Sequence, residues 1–234
     1  MIRPLTVERE HLPQGIVAIP VRTRLVRPGD ALPELVAQAV EGIARRGDVI
    51  AVSETAVAIA QGEFVPAEYV RPSWLAYRLS RRAGPLATVN QPESLQLVID
   101  RVGARTVVVS AVKHLLGRMR GRRGVFYECM GEAIAAIDGY TGTLPPYERA
   151  IVLAPRDPEG VAGEVAERAG VACAVVDAND LERAKILGAS PEVERETVER
   201  ALLGNPHGNG DEQTPVVVLK WRGAGRNPLV TSGA

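Results

Sequence analysis

The stretch RAIVLAPRDPEGVAGEVAERAGVACAVVDAND, residues 149–180, decides the fold class. It begins with a short apolar run over 149–153, which predicts a buried strand. Apolar residues then recur at helical spacing over 159–169, and a run rich in β-branched residues follows over 171–176. A strand, a helix and a strand in succession are typical of α/β proteins. We therefore predict a mixed α/β fold.

The same alternation continues on both sides of this stretch. Toward the N-terminus, the patterns predict strands over 15–21 and 49–52 with a helix over 32–43 between them. Toward the C-terminus, they predict a helix over Pro191–Leu203 with Ser190 as its N-cap, and a last strand over Thr214–Trp221. We assign residues 1–222 to a single domain and expect a flexible tail over 223–234.

The middle of the chain has a weaker pattern. Residues 64–92 combine several prolines with scattered aromatic residues, and we treat the segment near 64–124 as variable. After a helix over 95–102, the run TVVV at Thr106–Val109 predicts a buried strand. The basic, glycine-containing segment Lys113–Arg123 predicts a mobile loop, and Val125–Cys129 predicts another strand.

Composition and charge exclude several classes of protein. The chain has 234 residues, with 28 Lys+Arg against 28 Asp+Glu, so its whole surface cannot be built to neutralise nucleic acid or a membrane. No apolar run has the roughly 20 residues of a membrane span. Two cysteines, Cys129 and Cys173, cannot form a disulfide framework. We expect a cytoplasmic protein without a membrane partner.

Carboxylates stand where predicted strands end, which is where α/β proteins place their sites. They are Asp138, Asp157, Asp177 and Asp180. Two or three of them together could hold Mg²⁺ or Mn²⁺, which prefer oxygen ligands. A structural interpretation is also open, because Asp157 before Pro158 suits a helix N-cap, and Asp177 and Asp180 suit a turn.

The sequence offers other groups for anionic ligands. Arg118 and Arg120 lie in the basic segment and could clamp phosphates, although such a segment is also typical of a solvated surface. Ser53 and Thr55 follow a predicted strand as a polar turn. There is no GxxxxGK[ST] loop, no GxGxxG after a strand and no GxSxG elbow. A nucleotide, if bound, is therefore held in another way.

Several segments, in order along the chain, resemble the coenzyme F-420:L-glutamate ligases, also called F-420-0:gamma-glutamyl ligases. The segments are LVRPGDALPELV (25–36), RRGDVIAVSETAVAIAQGE (45–63), IAAIDGY (134–140), DPEGVA (157–162), VVDAND (175–180), LLGNP (202–206) and TPVVVL (214–219). The resemblance covers about two thirds of the chain. It implies a two-lobed protomer in an intertwined homodimer that attaches glutamate to a small acidic substrate, at the expense of GTP or ATP.

The resemblance also implies a site. Asp138 and Asp177, with Asp180 beside them, would hold Mn²⁺ or Mg²⁺. Nucleotide or phosphate would contact Ser53, Thr55, Arg118, Arg120, Asn179 and Asn205. The sequence departs from the family pattern at Ile59, where the family has a lysine, and at Ile134 and Ala178, where it has polar residues. These departures keep a second hypothesis open, a member that binds a nucleotide or a small anion without ligase activity. A nucleic-acid-binding module is the least favoured hypothesis.

Overall fold

The computed structural model describes residues 13, 15–83, 88–122, 125–131, 137–139, 144–179, 183–208 and 212–231. Within these ranges it contains eight strands and eight α-helices. The strands are β1 (Ile16–Val21), β2 (Val49–Ser53), β3 (Phe64–Pro66), β4 (Ile137–Gly139), β5 (Ala150–Leu153), β6 (Ala172–Asn179), β7 (Arg183–Ala189) and β8 (Val216–Trp221). The helices are α1 (Leu32–Val40), α2 (Glu54–Ala60), α3 (Trp74–Ser80), α4 (Pro92–Val102), α5 (Ala104–Met119), α6 (Val125–Met130), α7 (Pro158–Ala169) and α8 (Arg195–Leu202). The predicted mixed α/β class is confirmed.

The chain divides into two compact units. Unit 1 comprises Met1–Glu63 and Pro155–Ala234, and unit 2 comprises Phe64–Ala154. Unit 1 contains a five-stranded sheet in the order β1-β8-β2-β6-β7. Only the β2 and β6 pair is parallel, and the other neighbours are antiparallel. Helix α7 packs on β6 and β7, and α8 packs on β7.

The central strands of unit 1 are apolar because both faces of the sheet are covered. Val49–Val52 and Val216–Leu219 are completely buried, as the continuous apolar runs predict. Leu202 and Leu229 join them in one core. Leu229 lies in the segment predicted to be a flexible tail, and its neighbour Val230 forms a β-bridge with Val193.

The described part of unit 2 has a smaller sheet and four α-helices. Its strands follow the order β3-β5-β4, and both pairs are antiparallel. Helix α4 supplies Leu95, Val98 and Ile99 to the core of this unit, and β5 supplies Ile151. Ser73 caps α3, because its hydroxyl accepts a hydrogen bond from the backbone N–H of Ala76 at 3.3 Å.

In unit 1, most predicted elements are confirmed, but two helices are shorter than predicted and two elements, α2 and β7, are not predicted. The predicted helix over 32–43 ends at Val40. The predicted helix over Pro191–Leu203 is shorter and begins at Arg195, with Glu194 rather than Ser190 at its N-cap. Ser190 serves the sheet instead, because its hydroxyl accepts a hydrogen bond from the backbone N–H of Cys173 at 3.0 Å. The sequence pattern does not predict strand β7. Only two of its seven residues, Ile186 and Leu187, are large and apolar, which is too few to indicate a strand.

In unit 2, three predictions are wrong. Thr106–Val109 is not a strand, and Lys113–Arg123 is not a loop over its first half, because both lie in helix α5 up to Met119. Val125–Cys129 is also helical, within α6. A run of β-branched residues forms a strand only where neighbouring strands can pair with it, and tertiary packing overrides this weak local preference. Here Val107 and Gly117 face α4 and α6 as one side of a helix.

Within the described residues, no helix has the length and apolarity needed to cross a membrane.

Candidate functional site at the carboxyl edge of the sheet

The parallel pair in unit 1 brings two predicted site segments to one edge. Ser53 ends β2 and pairs with Val176 of β6. Strand β6 then continues through Asp177 and Asn179. Because parallel strands have their carboxyl ends at the same edge, Ser53 and Asp177 lie at one edge of the sheet. We call this the carboxyl edge.

The chain before β8 completes the carboxyl edge. The backbone N–H of Ser53 donates to the carbonyl oxygen of Pro215 at 2.8 Å, and that of Thr23 donates to the carbonyl oxygen of Gln213 at 3.1 Å. Arg22 follows β1, and its Nε donates to the carbonyl oxygen of Glu212 at 3.0 Å. The ends of β1, β2 and β6 therefore meet the segment that leads into β8.

Asp177 is the carboxylate of this edge. Its side chain is exposed, yet the surrounding protein removes enough water to raise the pKa of the carboxyl above its ordinary value. Lys185, its register partner on β7, partly opposes that shift through its positive charge. Asn179 pairs with Arg183 two residues further along the same ladder. Strands β6 and β7 thus bring a carboxylate, an amide and two cationic side chains to this edge, and Glu54 follows Ser53 at the start of α2.

Ser53 and Thr55 lie at the start of helix α2. Ser53 occupies the N-cap of α2 with extended backbone, but its hydroxyl makes no capping hydrogen bond. Both side chains are partly exposed. Ile59, which stands where the family has a lysine, is buried with the other apolar residues of α2. Helix α2 therefore contributes hydroxyl groups but no cation.

The described residues before β8, 205–208 and 212–215, include two buried polar side chains, Asn205 and His207. Asn205 is 1% exposed and has a positive φ of 42°. His207 and Thr214 are linked twice, since the hydroxyl of Thr214 donates to the carbonyl oxygen of His207 and Nδ1 of His207 lies 3.2 Å from the carbonyl oxygen of Thr214. A carbonyl only accepts, so Nδ1 carries the proton in the neutral ring. Burial lowers the pKa of His207 to about 4, which keeps the ring neutral at ordinary pH.

The remaining predicted residues lie elsewhere or outside the description. Asp138 lies on β4 in unit 2, and its side chain is outside the described residues, as is the whole of Asp180. Arg118 is in the last turn of α5, and Arg120 follows as its C-cap; both are exposed side chains of unit 2. Asp157 is an N-cap, because its carboxylate accepts from the backbone N–H of Gly160 at 3.0 Å. The structural interpretation of Asp157 is therefore confirmed.

The described residues contain no group of three or more His, Cys, Asp or Glu side chains that could hold a metal ion. Asp177 is the described member of the predicted ligand set. Mg²⁺ commonly binds through one or two carboxylates plus substrate phosphates and water, so one strand-end carboxylate fits such a site only with phosphate or further ligands.

Sequence reasoning missed three residues of this edge. Arg22 directly follows β1, and the rule used for the aspartates, that polar residues after strands form sites, would have identified it. Lys185 was missed because β7 was not predicted. His207 has no motif around it, and only its hydrogen bond and its burial show that it belongs to the edge.

Comparisons with known proteins identify similar sequences. The model of the F-420-0:gamma-glutamyl ligase family matches residues 20–179, a range that includes Ser53, Asp138 and Asp177. A relative named coenzyme F-420:L-glutamate ligase, from Methanopyrus kandleri, is 29% identical over 145 residues. This alignment covers 62% of the chain and 50% of the relative, so the match spans about half of the relative's length.

Proposed function

The chain belongs to the F-420-0:gamma-glutamyl ligase family, and we propose that it is a ligase that uses a nucleoside triphosphate and a divalent metal ion to join glutamate to a small acidic acceptor. The acceptor class is a carboxylic acid similar to a precursor of coenzyme F-420. A homodimer, two-lobed architecture and cytoplasmic location, all expected from the sequence, are part of the same proposal.

The observation that carries this proposal is the convergence at the carboxyl edge. Ser53 and Asp177 come from strands that are adjacent and parallel, and the backbone of Ser53 is bonded to Pro215. Three segments of the family resemblance, around residues 53, 177 and 214, therefore meet at one place. Such an edge is where open α/β sheets bind their ligands.

The charges at this edge suit a triphosphate. Arg22 and Lys185 are cationic side chains of unit 1 that the edge itself positions, whereas α2 offers Ile59 in place of a lysine. We propose that Arg22 and Lys185 provide charge for phosphate binding, and that the hydroxyls of Ser53 and Thr55 and the amides of Asn179 and Asn205 donate hydrogen bonds. Arg118 and Arg120 stay predictions for the same role.

Asp177 would hold Mn²⁺ or Mg²⁺, with Asp138 and Asp180 as the further predicted ligands. A bound divalent ion would neutralise charge on the phosphates. The chain holds the carboxylate of Asp177 on β6, where burial raises its pKa and the positive charge of Lys185 opposes only part of that rise.

The proposed reaction has two steps. A carboxylate oxygen of the acceptor forms a bond to the γ-phosphorus, and the bond between that phosphorus and the bridging oxygen breaks, which releases a nucleoside diphosphate. The amino group of glutamate then attacks the acyl carbon, and inorganic phosphate and one proton leave as the amide forms. Both steps require positioned cations and hydrogen-bond donors around phosphate, which is what the carboxyl edge supplies.

A second candidate function is supported by α2. Because Ile59 is buried and apolar, a contact that the family makes with a lysine is missing here. A member without that cation could bind a nucleotide or another small anion at the carboxyl edge without catalysing ligation. This alternative predicts ligand binding but no amide product.

Thermal unfolding with GTP or ATP, each with and without Mn²⁺ or Mg²⁺, tests the proposal. A ligand that binds only the folded protein stabilises it by about 2.7 kcal/mol at a hundredfold excess over Kd. We expect a metal-dependent shift for one nucleotide, lost in Asp177→Asn. Glu167→Gln is the matched control, because Glu167 is an exposed carboxylate near the C-terminus of α7, at the opposite end of β6.

The outcomes separate the two candidates. A metal-dependent shift in wild type and Glu167→Gln, together with an amide product of glutamate and an acidic acceptor, supports the ligase. The same shift without any product under a screen of acidic acceptors supports the binding protein. A nucleotide shift that Asp177→Asn retains in full would refute the role of Asp177.

A further inference from the structure

The net charge of zero conceals an uneven distribution of charge between the two units. Unit 2 has 12 Lys and Arg residues against seven Asp and Glu, whereas unit 1 has 16 against 21. The stretch from Tyr69 to Pro92, at the start of unit 2, contains four arginines and no acidic residue. Unit 2 is therefore basic, and an acid-free stretch of this kind attracts polyanions.

Helix α3, within this stretch, has a covered side and an open side. Its two leucines, Leu75 and Leu79, pack against the core of unit 2. The open side carries only aromatic and cationic side chains, spaced mostly three or four residues apart as neighbours on one helix face. They are Trp74, Tyr77, Arg78, Arg81 and Arg82. We call these five residues the α3 patch.

The aromatic rings of the α3 patch are unusually accessible. Trp74 is 73% exposed and Tyr77 is 48% exposed, although large aromatic side chains are mostly buried in folded proteins. The guanidinium carbon of Arg78 lies 5.5 Å from the centre of the Trp74 ring, which is a cation–π contact. The patch thus presents a flat ring and a positive charge side by side.

The arginines of the α3 patch have no acidic partner among the residues that the structure describes. Arg24, Arg156 and Arg168, by contrast, each form an ion pair with a carboxylate. A guanidinium group makes two parallel hydrogen bonds to a phosphate, so three arginines without acidic partners are suited to an external chain of phosphates.

The start of α3 is held firmly in unit 2. The hydroxyl of Ser73 caps the helix, and the backbone N–H of the same residue donates to Oε1 of Gln96 on α4 at 2.8 Å. Helix α3 also packs along α4. The α3 patch therefore lies on a helix with a fixed position, which favours binding over a flexible surface loop.

These features favour single-stranded nucleic acid over other polyanions. Proteins bind single strands by stacking bases on exposed aromatic rings while cations contact the backbone. A duplex keeps its base faces in its own stack and would offer the rings nothing. A bilayer is bound by long aliphatic side chains beside the aromatic ones, but α3 directs Leu75 and Leu79 into the core of unit 2.

We propose that the α3 patch binds single-stranded nucleic acid, with Trp74 and Tyr77 stacking on bases and the three arginines contacting phosphates. RNA and DNA share this chemistry. The proposal does not depend on the ligase reaction, because none of the five residues belongs to the carboxyl edge or to the predicted nucleotide contacts.

Fluorescence anisotropy with labelled oligouridylate and oligothymidylate of about 12 nucleotides tests the phosphate contacts. We expect the full chain to bind at low salt. Arg81→Ala combined with Arg82→Ala should weaken binding and reduce the slope of log K against log salt by about 1.4, because each phosphate contact on a single strand contributes about 0.7. Tighter binding of the uridylate would assign the patch to RNA and of the thymidylate to DNA, and either supports the proposal.

Arg45→Ala combined with Arg46→Ala is the matched control. These two arginines are also adjacent and exposed, but they lie in unit 1. The control variant has the same net charge as the test variant and should keep the wild-type affinity and slope. No binding at low salt, or an equal loss in the two double variants, would overturn the proposal.

The stacking contact has a direct optical readout. The chain has two tryptophans, so Trp74 is the sole reporter in a Trp221→Phe background, and its fluorescence should be quenched by the oligonucleotide. Trp74→Ala should weaken binding by about tenfold without changing the salt slope or the circular dichroism, since the side chain is exposed.

An abasic oligonucleotide of the same length separates stacking from charge. It should bind wild type about tenfold more weakly than the normal strand, and Trp74→Ala should weaken its binding no further. Equal affinity for the abasic and normal strands would show that only the phosphates are bound, and would refute the proposal.

The other occupants give different results. A wild-type dimer that Trp74→Ala converts to a monomer would show that the patch is buried between two copies. Quenching of Trp74 by vesicles of anionic phospholipid, without quenching by the oligonucleotide, would assign the patch to a membrane surface. Displacement of the oligonucleotide by GTP with Mn²⁺ at matched ionic strength would assign its binding to the carboxyl edge. Each of these results would overturn the proposal.

Discussion

Two valine-rich runs of the same length have opposite surroundings in this molecule. Val216–Leu219 is the centre of β8 in unit 1, with β1 on one side and β2 on the other, and all four residues are fully buried. Thr106–Val109 lies in α5 of unit 2, where Val107 is buried but Val108 and Val109 are more than 40% exposed. A strand in a sheet that is covered on both faces buries every side chain, whereas a helix on the surface buries one side only.

The difference extends to the two units. Unit 1 buries its large apolar side chains, whereas unit 2 presents nine of them to solvent, within the described part of the chain. The apolar surface of unit 1 is thus used for its own stability, and that of unit 2 is available for association. Matched substitutions in the two units test this distinction.

The largest effect is expected for leucine truncation. Leu219→Ala removes a fully buried side chain between β1 and β2 and should lower the free energy of unfolding by about 2–5 kcal/mol. Leu115→Ala removes an exposed side chain of helix α5 and should change the stability of the monomer by less than about 0.5 kcal/mol. Urea unfolding of both variants, at concentrations where the protein is monomeric, measures the contrast. Equal losses would contradict it.

A smaller, pH-dependent effect is expected at His207. Its pKa is about 4 in the folded protein and near the ordinary 6.5 after unfolding, so the unfolded chain binds the proton more readily. The free energy of unfolding should therefore fall as the pH drops below 6.5 and level off below 4, with about 2 kcal/mol lost by roughly pH 5.

His207→Gln isolates this contribution. The amide of glutamine can donate to the carbonyl oxygen of Thr214 but does not titrate in this range. Comparison of the two proteins by urea unfolding at several pH values should show a shallower loss in the variant. Identical pH dependence would show that the burial of His207 does not contribute to acid sensitivity.

The smallest effect is expected at the helix caps, one in each unit. Asp157→Ala removes the side-chain acceptor at the start of α7, and Ser73→Ala removes the one at the start of α3. Each should cost about 1 kcal/mol. Hydrogen exchange at the first turns of α7 and α3 measures each loss in its own unit. If Asp157→Ala loosened α3 as much as α7, the units would not be separate in stability.

The part of the site that the sequence predicts consists of residues that stand at the ends of short, recognisable strands. The sequence predicts Ser53 and Asp177 as site residues because each stands at the end of a buried run, and the parallel β2–β6 pair brings the two residues to one edge. Long apolar runs such as Val49–Val52 predict their strands correctly because both faces of the sheet are covered at these residues. These elements depend on patterns within a few residues.

The elements and site residues that the sequence does not predict depend on contacts with distant parts of the chain. The run TVVV predicts a strand because its residues favour strands, but it forms part of α5, where Val107 is buried and Val108 and Val109 are exposed. His207 belongs to the edge only through Thr214, a contact that no spacing rule describes. The ligand roles of Asp138 and Asp180 stay predictions.

The position of β8 has a consequence for synthesis on the ribosome. β8 lies between β1 and β2, although about 160 residues of chain separate it from β2. Until β8 emerges, β1 and β2 lack the neighbour that joins them, and each offers unpaired backbone groups to other chains. Unit 2 is continuous in sequence and can form earlier. A translation product that stops before residue 216 would therefore expose the two apolar strands Ile16–Val21 and Val49–Ser53, and we expect such fragments to aggregate or be degraded rather than accumulate.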